Sequence, residues 1–252
     1  MKNIIAIAKN TFREAIRDRV FYGLFGFAIL FILLDLFMAK LALGDPVMIK
    51  SFGLAGIYVF GLIITIFLGA SIIYKEIERR TLYFVLPKPV SRTEVILGKF
   101  FGLFLAVSLT TLLMAVVYLI VVLRETANFD YLGLEAIFFQ IVEMGLFTAL
   151  LIFFSSVAAP MTSTICALML LFVGHLLNSV MQTAQTIGGG LAKFIEVIYY
   201  LLPNLEKFNL RNLAVHNISV SLASAALTLG YALLYIVILL YAADFFFKRR
   251  EF

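Results

Sequence analysis

The sequence predicts an all-α membrane protein with six transmembrane helices. Its 252 residues are 63% hydrophobic and 14% charged, which is more apolar surface than one soluble core can bury. The apolar residues fall into runs that are each close to the ~20 residues needed to cross a bilayer. These runs cover about 20–42, 52–74, 100–123, 136–158, 161–181 and 220–246. The chain therefore reads as one transmembrane domain over 1–252.

The segment before the first run, 1–19, is predicted to be an interfacial helix. Apolar residues recur at steps of four from Ile4 to Val20, and basic residues such as Lys9 and Arg13 take neighbouring positions. This spacing is typical of an amphipathic helix on the cytoplasmic surface. The five basic residues in the segment and the long apolar run after it are not typical of a cleaved signal peptide.

The distribution of basic residues predicts that both termini face the cytoplasm. Fourteen of the twenty Lys and Arg lie before residue 20, between 75 and 99, or after 247, and cytoplasmic segments carry such an excess. We therefore expect a multi-pass protein of the bacterial inner membrane. The net charge of +5 is spread over the ends of apolar runs and forms no continuous basic patch. Membrane lipid is accordingly an expected partner and nucleic acid is not.

The segment 75–99, between the second and third runs, is the longest cytoplasmic loop and the densest in charge. Its first part is charged and the next is apolar, and apolar side chains on the cytoplasmic side indicate a docking partner. The residues that would contact such a partner are Glu76, Glu78, Arg79, Arg80, Leu82, Tyr83 and Leu86. The alternative is a connection that only anchors at lipid headgroups, although a passive connection needs only a few residues.

The end of the same segment carries signals for a new helix. Pro87 and Pro89 end the preceding helical part, because proline removes a donor and restricts the residue before it. Ser91 and Glu94 then have the spacing of an S-x-x-E capping box, which predicts that a helix restarts there and runs into span 3. Gly98 and Gly102 form a small-xxx-small pair, so another helix can approach closely.

Six polar side chains in or at the end of the apolar runs are among the most costly to bury in lipid, and such residues are functional candidates. They are Asp35, Gln140, Glu143, His175, Asn178 and Gln182. Residues 140 and 143 are one turn apart, and 175, 178 and 182 share one helix face. In the predicted orientation they lie in the outer half of the membrane, where they could line a wet vestibule, with Glu143 and His175 as a candidate pair or proton relay. Interhelical hydrogen bonding is the alternative.

The fifth run is separated from the fourth only by residues around Pro160, so a re-entrant hairpin is the alternative to a full span there. Residues 183–217 are predicted to form an external segment. Gly188 to Gly190 break the chain within it, and apolar residues at helical spacing up to Pro203 predict a short helix in the outer interface.

Enzymatic readings find little support. His175 and His216 are accompanied by no glycine-flanked serine motif of an intramembrane protease. No histidine lies at ligand spacing from Glu76 and Glu78, and the single cysteine, Cys166, excludes a disulfide framework. We therefore expect no catalytic residue, no metal site and no cofactor in this chain.

The cytoplasmic loop resembles the coupling region of ABC-2 type permeases, the membrane-spanning subunits of ATP-binding-cassette exporters. Arg80 to Lys99 follows the pattern R-T-L-x-x-x-L-x-x-P-V-S-R-x-E-x-x-x-G-K, residues 11–24 resemble the family's connecting helix, and FFFKRREF resembles its cytoplasmic C-terminus. The resemblance implies an exporter that dimerises and carries one ATPase subunit per protomer. It also implies that a short helix within 76–86 sits in a groove of that ATPase.

The chain lacks the nucleotide-binding signature G-x-x-x-x-G-K-[ST], since its Gly98-Lys99 pair is followed by Phe100. We therefore expect ATP and Mg²⁺ to bind in a separate polypeptide. The leading hypothesis is an ATP-driven exporter, a homodimer with an unidentified substrate. An ATPase-linked scaffold or mechanotransmitter without substrate flux is the alternative, although the external loops between spans 1 and 2 and between spans 3 and 4 are short for a domain that receives force.

Overall fold

The computed structural model describes residues 2–41, 45–69 and 91–249. Within these ranges the chain is helical and contains no strand. The helices are α1 (Lys2–Arg17), α2 (Arg19–Leu41), α3 (Pro46–Gly69), α4 (Arg92–Thr126), α5 (Tyr131–Val157), α6 (Pro160–Ile187), α7 (Gly189–Leu201), α8 (Arg211–Val215) and α9 (Leu222–Arg249), with a 3₁₀ helix at Leu205–Phe208. The expected all-α class is thus confirmed for the described residues.

Five helices in the described part of the chain are long and apolar enough to cross a membrane. They are α3, α4, α5, α6 and, in α9, Leu222–Phe247. The first expected span corresponds to α2, which has 23 residues but contributes only the shorter apolar stretch Phe21–Leu34. The multi-pass architecture therefore follows from five helices, and the sixth span stays a prediction.

Local signals define several helix ends. Ser91 Oγ accepts from the Glu94 amide at 3.2 Å, and Glu94 Oε2 accepts from the Ser91 amide at 3.0 Å, so the predicted capping box is confirmed. Only Ala158 and Ala159 separate α5 from α6, whose first residue is Pro160. Because α6 then continues without a break for 28 residues, the described chain has one long helix where a re-entrant hairpin was the alternative.

Helix α5 lies at the centre of the bundle. It contacts α3, α4, α6, α8, α9 and the 3₁₀ helix, and its side chains Leu146, Phe147 and Leu151 are fully buried. By contrast, few residues in the apolar stretch of α9 are fully buried, and this helix contacts the bundle mainly through α5. Polar side chains on α5 are consequently shielded from lipid by its neighbours.

Helix α1 packs lengthwise against the first part of α4, and the two helices run in the same direction. A Cβ atom at Gly98 would lie 2.6 Å from Ile7 Cβ, and one at Gly102 would lie 2.5 Å from the Ala8 carbonyl oxygen. The two glycines therefore allow the backbones to approach closely. The opposite face of α1 exposes basic residues, among them Lys9 and Arg13. Its position on the membrane surface stays a prediction.

Candidate functional site

A buried polar cluster lies where α3, α5, α6 and the 3₁₀ helix meet. The imidazole of His175 lies between two carboxylates, with Nε2 2.9 Å from Glu143 Oε1 and Nδ1 3.0 Å from Glu206 Oε2. Tyr58 Oη donates to the same Glu143 oxygen at 2.8 Å and lies 2.7 Å from His175 Nε2. Glu143 and Tyr58 are 1% and 8% exposed. Four elements thus converge on one ring.

Neighbouring residues explain how the 3₁₀ helix comes so close to α6. Gly174 precedes His175, and a Cβ atom there would lie 2.8 Å from both Leu205 Cγ and the Pro203 carbonyl oxygen. The missing side chain leaves room for the chain around 203–205. Leu205 and Phe208, which flank Glu206 on this short helix, are fully buried and hold it against the bundle by apolar contact. The carboxylate of Glu206 is thereby presented to the imidazole.

A second layer of polar groups surrounds this cluster. Asn209 Nδ2 donates to Glu206 Oε1 at 3.0 Å, and Arg211 Nε donates to Asn209 Oδ1 at 2.8 Å. The Arg211 guanidinium also lies 4.1 Å from the centre of the Tyr58 ring, which is a cation–π distance. One cation and two carboxylates are therefore fixed around His175 by short-range contacts.

Asn178, one turn beyond His175 on α6, belongs to a separate network. Its Oδ1 accepts from Asn204 Nδ2 at 2.6 Å and from Tyr199 Oη at 3.2 Å. The backbone amide of Asn204 donates to Tyr231 Oη at 2.7 Å. This network joins α6, α7 and α9 around the loop that leads into the 3₁₀ helix. His175 and Asn178 on α6 thus both bind the segment expected to be external.

The other candidate pathway residues are placed differently. Gln140 is buried on α5, where its Nε2 donates to the Leu54 carbonyl at 3.3 Å, and its Oε1 has no hydrogen-bond partner among the described residues. Gln182 is exposed on the last turns of α6. The side chain of Asp35 lies outside the described residues. The structure thus brings Glu143 and His175 together and keeps Gln182 apart from them. That the six candidates line a transport pathway stays a prediction.

Several residues of the polar cluster around His175 could not be recognised from the sequence. Tyr58 looks like an ordinary aromatic residue of a span, and Glu206 and Arg211 lie in a segment where charged residues are common. Their importance arises only from long-range packing, since Tyr58 is 117 positions from His175 and Glu206 is 31. Of the residues in this cluster, a search for polar side chains inside apolar runs finds only Glu143 on α5 and His175 on α6.

A second polar junction lies at the start of α4, within the last part of the predicted coupling segment 75–99. Glu94 Oε2 accepts from Asn3 Nδ2 at 3.2 Å, and Thr93 Oγ1 donates to Asp244 Oδ1 at 3.0 Å. Arg92 Nη1 donates to the Phe247 carbonyl at 3.1 Å. The first turn of α4 is therefore bonded to both α1 and the end of α9. We call this set the α4 junction.

The predicted coupling residues that precede the α4 junction lie outside the described residues. These are Glu76, Glu78, Arg79, Arg80, Leu82, Tyr83 and Leu86. Among the residues that the structure does describe, no group of three or more His, Cys, Asp and Glu could hold a metal ion.

A buried ion pair closes the end of the bundle where α4 meets α5. Lys50 Nζ lies 2.9 Å from Asp130 Oδ1, and the two side chains are 11% and 2% exposed. Tyr118 Oη donates to Asp130 Oδ2 at 2.6 Å, and Lys50 Nζ donates to Asn217 Oδ1 at 3.1 Å. Both carboxylate oxygens of Asp130 accept hydrogen bonds, so we interpret this group as a structural link between α3, α4 and the loop after α8.

Comparison of the sequence with protein-family models identifies the family of this chain. A family model described as ABC-2 family transporter protein matches residues 5–252. No curated protein matches the chain. The family match extends over all the helices, from α1, which packs on α4, to α9, whose end contributes to the α4 junction. The chain therefore belongs to the ABC-2 transporter family and is a multi-pass membrane protein of that family.

Proposed function

We propose that this chain is the permease subunit of an ABC exporter, which couples ATP hydrolysis in a separate ATPase subunit to outward movement of a substrate. Membership of the ABC-2 family implies an ABC-type ATPase partner, and the chain has no nucleotide-binding signature of its own. Two copies of the chain would enclose the path in the inner membrane, with both termini in the cytoplasm.

The observation that carries this proposal is the α4 junction. The predicted coupling segment, 75–99, includes the first turn of α4, and this turn is bonded to α1 through Asn3 and to α9 through Asp244. Displacement of the segment by a closing ATPase would therefore act on three helices together. Coupling of this kind needs a physical connection whose state both sites influence.

Thr93→Val tests the connection with little change of side-chain volume. It removes the hydroxyl that donates to Asp244, and one lost hydrogen bond to a charged group corresponds to about 1.5–3 kcal/mol. In proteoliposomes that contain the permease and an ABC ATPase that co-purifies with it, we expect ATP hydrolysis to continue while transport per ATP falls about tenfold. The transported panel would include a fluorescent lipid, a hydrophobic dye and an oligosaccharide.

Thr126→Val is the matched control, because Thr126 lies at the other end of α4 and its hydroxyl donates only to carbonyls nearby, chiefly that of Val122 at 2.8 Å. It should leave the transport per ATP unchanged. Equal transport by the two variants would refute the α4 junction as the coupling element. Failure of the chain to bind any ABC ATPase would refute the permease assignment itself.

The coupling residues before the α4 junction have their own test. Charge reversal at Glu78 and Arg80 together with Tyr83→Ala should abolish co-purification of the ATPase, because these residues are proposed to make the polar and apolar contacts to its groove. Wild-type complexes that hydrolyse ATP without flux of any substrate would instead favour the scaffold or mechanotransmitter.

A further inference from the structure

The cluster around His175 has an unusual arrangement of hydrogen-bonding groups. Both ring nitrogens face carboxylate oxygens, at 2.9 Å for Glu143 and 3.0 Å for Glu206. A neutral imidazole has one N–H and one lone pair, and an ionised carboxylate only accepts. With both carboxylates ionised, a neutral ring would direct its lone pair at one of them. The Tyr58 hydroxyl could donate to a lone pair on Nε2 at 2.7 Å, but Glu143 Oε1 would then face Nε2 at 2.9 Å without a proton between them. One additional proton shared by the three groups satisfies both carboxylate contacts at once.

The surrounding groups determine the net charge of the cluster. The Tyr58 hydroxyl on α3 donates a hydrogen bond to Glu143, and the Asn209 side chain donates one to Glu206. Arg211 from α8 supplies one fixed cation, over the Tyr58 ring. Two carboxylates, this cation and one shared proton give a neutral cluster, whereas loss of the proton leaves a net negative charge in a largely buried site, which is unfavourable.

The two carboxylates differ in their access to water. The side chain of Glu143 is 1% exposed and that of Glu206 is 35% exposed. A proton can therefore enter and leave from the Glu206 side. When it leaves, Glu206 is also the group that can turn into solvent, because its backbone belongs to the short 3₁₀ helix and not to a spanning helix.

We propose that Glu143, His175 and Glu206 form a binding site for a single proton, and that this proton fastens the segment 203–211 to α5 and α6. Deprotonation leaves one N–H on the ring, which stays directed at the buried Glu143 because the more exposed Glu206 can be hydrated instead. The bond between Glu206 and His175 is then lost and the segment opens more often, while Leu205 and Phe208 keep it near the bundle. The outer end of the bundle thus responds to the pH outside the membrane.

Hydrogen exchange of the backbone amides in 203–211, measured by mass spectrometry on the full chain in nanodiscs, tests this site. Rates are corrected for the intrinsic pH dependence of exchange and compared between about pH 5 and pH 9, which brackets the ordinary titration range of histidine. We expect protection of 203–211 to fall roughly tenfold as the pH rises, the equivalent of about 1.4 kcal/mol. Protection of α7 should not change.

Variants distinguish this site from general loosening of the fold. In Glu206→Gln, the amide can donate to or accept from a neutral imidazole, so protection of 203–211 should become independent of pH. Glu196→Gln is the matched control, since Glu196 is an exposed carboxylate on α7, and it should retain the wild-type response. A wild-type protein without the pH response, or a response that persists in Glu206→Gln, would overturn the proposal. The measurement needs no substrate, so its outcome is separate from that of the transport assay.

Discussion

Replacing Asp130 with asparagine should destabilise the protein far more than the same change at an exposed aspartate. The Asp130 carboxylate is 2% exposed and accepts from Lys50 at 2.9 Å and from Tyr118 at 2.6 Å. Asparagine preserves the shape and an acceptor, but it leaves the Lys50 ammonium buried without a counter-charge. Removing one partner of a buried pair costs about 3–5 kcal/mol, and we expect a loss of that size.

Substitutions of the residues that contact Asp130 distinguish the contribution of the ion pair from that of the hydrogen bond. Tyr118→Phe leaves the pair intact and removes one bond to a charged acceptor, so it should cost about 1.5–3 kcal/mol. Lys50→Met combined with Asp130→Leu removes both charges. Its cost should be smaller than that of Asp130→Asn, because no unpaired charge stays buried.

Reversible unfolding in mixed micelles, titrated with sodium dodecyl sulfate and followed by circular dichroism, measures these free energies. Asp45→Asn is the control, because Asp45 is exposed and caps α3 through a 2.9 Å bond to the Val47 amide. Asparagine caps a helix about as well as aspartate. If Asp130→Asn cost less than about 1 kcal/mol, as for an exposed pair, the inferred burial of this group would be wrong.

Two further predictions concern glycines and use the same unfolding assay. Gly102→Ala should destabilise by about 1–3 kcal/mol, because its Cβ would lie 2.5 Å from the Ala8 carbonyl oxygen, whereas Gly230→Ala meets nothing within 4 Å and should be neutral or slightly stabilising. Gly188→Ala should cost about 1–2 kcal/mol because the φ of Gly188 is +72°, whereas Gly190→Ala, which meets no such strain, should not. Equal effects within either pair would contradict the corresponding geometry.

Features that depend on a few adjacent residues could be predicted from the sequence. The capping box at Ser91 and Glu94 is one, and the break at Gly188, whose φ is positive, is another. Both arise from local backbone chemistry, which a short sequence pattern contains in full. The apolar runs likewise identified the long helices, because span length is set by the thickness of the bilayer.

The identity of a partner helix could not be predicted, although the Gly98 and Gly102 pair indicated that some helix approaches closely. The spacing in α1 indicated an apolar face with Ala8, Phe12 and Ile16, and of these Ala8 is buried, together with Thr11 and Ala15. Small side chains face α4 because Gly102 brings the two backbones too close for larger ones. The polar cluster around His175 has the same origin, since its members come from four elements whose proximity no local pattern encodes.

The α4 junction also sets an order of events during biosynthesis. Thr93 and its partner Asp244 are separated by 151 residues, and Arg92 and the Phe247 carbonyl by 155. At translation rates of ~5–20 residues per second, the first turn of α4 waits roughly 8 to 30 s for its α9 partners. A nascent chain that stalls before α9 is made therefore lacks these bonds, so a chain with the complete junction has been synthesised through α9.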